Sequence, residues 1–248
     1  MRSERFDTPG PVTLELKVPA GNVEIETTDA GVSTVELEPL RGDQATITAI
    51  ERARVELHGN DLIVDLEGER RRLFFLRGVD VGVRVSVPHD TRLRVNVVNA
   101  DVRAPGRFGS SEVRTVSGDL LLGEFDGEAS LRSVSGDITV GRVSGAATIE
   151  SVSGDVELED AAKDVRAKSV SGDVRLGRVC MGEVSVQTVS GDARIGVAPG
   201  SKLFIDARSL SGDMASDLEL SEEPAQGEGP LLEIRGKSVS GDLKITRA

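Results

Sequence analysis

The sequence contains no tryptophan, no tyrosine, one cysteine, two histidines and six phenylalanines among 248 residues. Without Trp and Tyr the aromatic platforms that commonly bind sugars or single strands are missing. The lone Cys180 forbids an intrachain disulfide, so the fold is not built for an oxidising compartment. Only His58 and His89 are present as imidazole bases, which leaves little for acid–base or nucleophilic catalysis. Basic residues are outnumbered: the net charge of −12 argues against nucleic acid as a partner. No apolar run approaches the about 20 residues that a bilayer span needs. The start, Met1-Arg2-Ser3-Glu4-Arg5-Phe6, leads into no apolar stretch; no secretory signal is legible, and a cytoplasmic location is expected.

What the chain has in abundance is one triplet. Ser-Gly-Asp, preceded by Val or Leu, begins at Ser117, Ser135, Ser153, Ser171, Ser190, Ser211 and Ser240, and Asn99-Ala100-Asp101 is a degenerate copy in the same register. A fixed short period over half a chain marks a stacked repeat architecture. Between triplets the apolar positions Val134, Ile138, Val140, Val143, Ala147, Ile149 and Val152 step by 4, 2, 3 and again 4, 2, 3. Each coil of about 18 residues thus divides into two nine-residue halves. Steps of 2 are strand alternation, and the longer steps leave room for a corner. Gly takes positive φ freely, and short Ser and Asp side chains bond nearby backbone, so the triplet reads as that corner. The predicted fold is all-β: a β-solenoid with Ser-Gly-Asp corners and a Val/Ile/Leu core, each coil covered by its neighbours. One continuous solenoid over residues 1–248 is expected, with degenerate N-terminal coils over 1–92 and regular ones over 93–248.

Some segments depart from the rhythm. Ala45 to Leu66 reads as two alternating strand runs broken at His58-Gly59-Asn60-Asp61 by a hairpin-like turn. Pro19-Ala20-Gly21-Asn22 and Pro88-His89-Asp90-Thr91 read as further corners. Glu219 to Pro230 is an acidic excursion expected to be a solvated loop. The final run, Leu243 to Ala248, reads as the open end of the stack, with Lys244 and Arg247 as charges that guard its edge.

Repeated Val-Ser-Gly-Asp-Val-x-Val corners, entered through Val87-Pro88 and Leu93-x-Val95, resemble the bacterial β-strand-repeat family of unknown function labelled "putative adhesin". The resemblance is strongest from Val79 to Ile245. It implies a solenoid likened to a toast rack, found in cell-envelope and stress-associated proteins, and it supplies no catalytic motif.

The candidate sites are few. Stacked in register, Asp119, Asp137, Asp155 and Asp173 would stand about 5 Å apart. Such neighbours repel by about 0.8 kcal/mol in water. The row is tolerable if each carboxylate accepts backbone or Ser hydrogen bonds, the structural reading, or if cations intervene, which would make it a calcium-binding edge; one Asp per coil is sparse for a cation that wants six to eight oxygens. Arg70, Arg71, Arg72 and Arg77 around Phe74 and Phe75 suit a protein partner or an anionic membrane surface, with the core cap as the competing role. A repeated serine is a poor nucleophile candidate, since a catalytic serine is normally singular. No cofactor is called for. A non-enzymatic scaffold or interaction module with a protein partner is expected. The rivals are a scaffold that self-assembles through its end coils and a cation-dependent adhesin.

Overall fold

The computed structural model describes residues 1–66, 78–217 and 230–248. They form two compact units, Met1–Asp126 and Gly127–Ala248, built from strands with one helix.

The first unit contains β1 (Arg2–Asp7), β2 (Thr13–Thr28), β3 (Val32–Pro39), α1 (Gln44–Arg52), β4 (Arg54–His58), β5 (Asp61–Asp65), β6 (Val81–Pro88), β7 (Arg92–Phe108), β8 (Ser111–Ser117) and β9 (Leu120–Phe125). β2 and β7 are each a whole coil in one long strand, paired in parallel from Thr13↔Arg92 to Glu24↔Arg103. On the other side of β2 lie β5 along its first half and β6 along its second. The first coil in the sequence is therefore interior in the stack, while β8 and β9 continue from β7. Antiparallel strands finish this unit: β3 on β6, β1 on β3, and β4 on β5. β1 carries Arg2, Glu4 and Arg5, and β4 carries Arg54 and Glu56, charges that discourage pairing with another chain. Phe108 and Phe125 are fully buried with ring centroids 6.1 Å apart.

The corner expected at Pro19-Ala20-Gly21-Asn22 is present. Gly21 has φ +128°, and a Cβ there would collide with the Val81 carbonyl. Among the described residues Asp90, in the corner after β6, is the non-glycine residue held at positive φ, +62°. Asn99-Ala100-Asp101 is the matching place in β7, with Gly21 in register with Ala100, which is buried and not at positive φ.

Where an alternating strand was expected after Ala45, the chain forms α1. Asp43 caps it, its Oδ1 accepting the Thr46 amide at 2.8 Å, and Thr46 and Ile50 bury one face at i, i+4 spacing. The Arg2 guanidinium donates to the Ile50 and Ala53 carbonyls at 3.2 and 2.6 Å, closing the other end. The hairpin after it lies as expected, with Gly59 at φ +60° between β4 and β5.

The second unit comprises β10 (Ala129–Ser135), β11 (Ile138–Val143), β12 (Ala147–Ser153), β13 (Val156–Ala161), β14 (Val165–Ser171), β15 (Val174–Val179), β16 (Gly182–Ser190), β17 (Ala193–Val197), β18 (Lys202–Ser211), β19 (Met214–Ser216), β20 (Leu231–Ser240) and β21 (Leu243–Arg247). Successive coils stack in parallel with every triplet in register: Ser135↔Ser153↔Ser171↔Ser190. The stack then departs from sequence order. β20 pairs with β16 on one side and β18 on the other, and β21 lies between β17 and β19. The latest coil in the sequence is thus inserted beneath the one before it. Lys244 and Arg247 do not guard an open edge; their strand is paired with β17, and Lys244 also with β19. The outermost coil is β18–β19.

The core consists of Ile138, Val140, Val143, Ala147, Ile149 and their equivalents in the coils from β10 to β17 and in β20–β21, which are buried. The Val before each triplet is not among them. Val134, Val152, Val170 and Val189 are 47–48% exposed, whereas Ser133, Ser151, Ser169 and Thr188 point inward. Strand alternation runs 147, 149, 151, so Val152 falls on the outer face as the corner begins.

Candidate functional site

The recurring triplet builds the same corner at each level, and its Gly and Asp have identifiable structural duties. Gly136, Gly154, Gly172 and Gly191 have φ between +123° and +134°. A Cβ on Gly154, Gly172 or Gly191 would strike the glycine carbonyl of the coil below. Two constraints, backbone sign and close approach, therefore select glycine at one point.

The aspartates connect the coils. Asp155 Oδ1 accepts the Asp173 amide, Asp173 Oδ1 the Asp192 amide, Asp192 Oδ1 the Asp242 amide and Asp242 Oδ1 the Asp213 amide, each at 2.8 Å. Asp137 Oδ1 does the same for Asp155, also at 2.8 Å, and in the first unit Asp101 for Asp119 at 3.0 Å. A charged acceptor on a backbone N–H makes a strong bond, and it offsets the repulsion between carboxylates in a row. Among the described residues no group of three or more His, Cys, Asp or Glu side chains is placed to hold a metal ion.

The triplet serines lie on the outside; the hydroxyl that matters sits two residues earlier. Ser133 Oγ donates to the Gly136 carbonyl at 3.2 Å, Ser151 to Gly154 at 3.4 Å and Thr188 to Gly191 at 3.3 Å. The Thr188 and Ser238 hydroxyls also meet, at 3.2 Å. The signal for this inner ladder was present as the recurrent Ser/Thr-Val-Ser-Gly.

Outside the corner, charged side chains pair across coils: Arg132 with Glu150 at 3.1 Å, Arg175 with Glu157 at 3.5 Å and Arg235 with Glu183 at 3.0 Å. Arg235 is held still more firmly protonated, first by its hydrogen bond to Glu233 and then by the charge of Glu183. These pairs are exposed, so each contributes little to stability. His58 Nε2 contacts Glu56 at 2.9 Å and His89 Nε2 lies 3.5 Å from Asp29; neither addresses a triplet serine. Cys180 is partly exposed beside Ser201, whose Oγ donates to its carbonyl at 3.1 Å. Arg70, Arg71, Arg72, Phe74, Phe75 and Arg77 lie outside the described residues, as does most of the acidic stretch from Glu219.

One surface feature escaped the sequence reading. On the outer face of the second unit, a groove of about 620 Å³ runs across the strands. Its one wall is Val170, Val189, Val239 and Leu210; the other is Lys168, Gln187, Lys237 and Arg208. Lys237 stands between Gln187 and Arg208, because β20 lies between β16 and β18.

No curated protein matches the chain. Solved structures do. A "putative adhesin" from Parabacteroides distasonis ATCC 8503 is 12% identical with a TM-score of 0.58, over 98% of this chain and 96% of that one. A "putative adhesin" from Bacteroides fragilis NCTC 9343 is 14% identical, TM-score 0.49, over the same shares. A "Putative lipid binding protein" from Parabacteroides distasonis ATCC 8503 is 14% identical, TM-score 0.47, over 97% of this chain and 96% of that one. At such identities the likeness concerns the fold. No helix of the described residues is long and apolar enough to cross a membrane. The family model described as Toastrack DUF4097 matches residues 13–246, so the parallel coils, the stacked corners and the sequence together place this chain in the Toastrack DUF4097 family.

Proposed function

We propose that the chain is a non-enzymatic, adhesin-like binding scaffold, whose stiff parallel stack holds outward side chains in fixed columns for a protein partner. The observation that carries this reading is the division of labour at the corner. Gly, Asp and the inner Ser or Thr are engaged in building the stack, and what remains for the outside is a set of registered columns such as Val152, Val170 and Val189. Regular stacks offer long surfaces of this kind. The reading takes residues 1–248 as one continuous solenoid, which the extent of the family match supports. The designation of the "putative adhesin" from Parabacteroides distasonis ATCC 8503 agrees with it.

The test is a photo-cross-linking side chain placed singly at exposed positions of several coils, among them Val134, Thr139, Arg175 and Val189, in the cell that makes the protein. Discrete adducts grouped on one column are expected. Their absence at every position would count against a scaffold.

A second reading, self-assembly through an end coil, has its own support. Among the described residues β18 pairs only with β20, and Leu203, Ile205 and Ala207 are half-buried where Val184 and Val186 are buried. An open parallel edge is a template for another chain. Light scattering across protein concentration separates the two: a constant 26.2 kDa mass excludes assembly, and a mass that climbs without closing supports it.

A further inference from the structure

The groove on the second unit has two walls of opposite character, and both are periodic. Val170, Val189 and Val239 are each 48% exposed and Leu210 is 86% exposed, which makes an uninterrupted apolar wall. Two residues back along each strand stand Lys168, Gln187, Lys237 and Arg208, aligned by the registers Lys168↔Gln187↔Lys237↔Arg208. Arg208 is paired with Asp206 at 3.3 Å; Lys168 and Lys237 have no carboxylate partner among the described residues. In a chain of net charge −12, three cations on one wall form a local reversal of sign.

The spacing narrows the occupant. Residues i and i+2 of a strand are about 6.6 Å apart, so the walls are too close to admit a helix of about 10 Å diameter between them. An alkyl chain could lie along the valines, but it has no group to meet cations on several successive rungs. An extended peptide places alternate side chains on opposite sides and meets both walls at once. We propose that this groove binds an extended peptide segment in which acidic and apolar residues alternate, the acidic ones facing Lys168, Lys237 and Arg208 and the apolar ones facing Val170, Val189, Val239 and Leu210. This rests on the scaffold reading and supplies its partner chemistry.

The experiment is fluorescence anisotropy of the full chain with a labelled peptide of alternating Glu and Val, about eight residues long, which at about 3.3 Å each more than spans the four rungs. Three further probes are the same peptide with Lys for Glu, a Glu/Val peptide of equal composition in blocks, and vesicles of anionic phospholipid. Saturable binding of the alternating acidic peptide is expected, weakening at least tenfold between about 0.05 and about 0.5 M salt because the cations are exposed. Val189→Asp, and separately the double variant Lys168→Glu/Lys237→Glu, should each reduce affinity at least tenfold with an unchanged thermal midpoint. Should Val189→Asp fail to fold, Val189→Ser reads the same wall. Equal binding of the Lys or block peptide, binding unaffected by these variants, vesicle binding without peptide binding, or no saturation by the alternating peptide would each overturn the proposal. The broader scaffold reading would survive any of them, since its cross-links would then map to another column.

Discussion

Asp173 donates its backbone amide to the carboxylate of Asp155, one coil below, at 2.8 Å. That bond, repeated from level to level, ties the corners together where sheet pairing is interrupted. Asp155→Ala should cost about 1 kcal/mol, the net worth of a backbone bond whose donor can still reach water. Asp155→Asn keeps an oxygen acceptor at the same place and should retain most of the stability. Denaturant melts of the two variants check this; equal losses would mean that the charge rather than the bond matters.

Gly172 and Gly59 separate two demands on glycine. Both have positive φ, but only at Gly172 does an added Cβ meet backbone, the Gly154 carbonyl, while nothing lies within 4 Å of one on Gly59. Gly172→Ala should cost on the order of 3 kcal/mol from strain and overpacking together. Gly59→Ala should cost about 1 kcal/mol. Thermal midpoints of the two give the comparison directly.

Ile149 and Val152 both belong to the apolar rhythm but occupy opposite faces of the sheet. Ile149→Ala should cost between about 2 and 5 kcal/mol as a core truncation. Val152→Ser should stay within about 0.5 kcal/mol of the parent. A large loss at Val152 would contradict its outward placement.

The cap of α1 carries a pH dependence. The Thr46 amide, ahead of the other contributions, holds the Asp43 carboxyl below its ordinary value of 3.8. A lowered folded-state pKa contributes stability that is present above 3.8 and is lost as pH falls through the lower value. Protection of the first-turn amides of α1, measured against the unstructured exchange rate at the same pH, should therefore fall as the pH drops below 3.8. In Asp43→Asn the acceptor has no proton to gain, and the pH dependence should vanish.

The sequence made the coil legible because one position in each repeat admits only glycine and its neighbours must reach the next coil. It also showed the hairpin at Gly59 and the corners at Gly21 and Asp90. It misread the Val at the head of each triplet, since an apolar residue at a fixed interval looks the same whether the strand ends before it or after it. It misread Ala45 to Arg52, where β-branched residues mimic a strand and only the Asp43 cap and the Thr46–Ile50 spacing mark a helix. The order of coils at the end of the second unit was not legible at all. Identical Ser-Gly-Asp corners can stack in any order, so local pattern carries no address. The arrangement of the groove was hidden for the same reason, because that order sets Lys237 rather than Arg208 beside Gln187.

The insertion of β20–β21 beneath β18–β19 also bears on how the protein is made. Through most of the second unit a new coil lays down on one finished about 18 residues earlier, but Asp242 docks on Asp192 across 50 residues. When β18 and β19 emerge from the ribosome, the strands they pair with in the finished stack, β20 and β21, have not yet been made. Their final pairing forms only after residues 231–247 have followed and filled the level between. Synthesis runs in one direction and this stretch assembles in the other, so a pause or cleavage between the two would leave an unfinished edge on an otherwise completed stack.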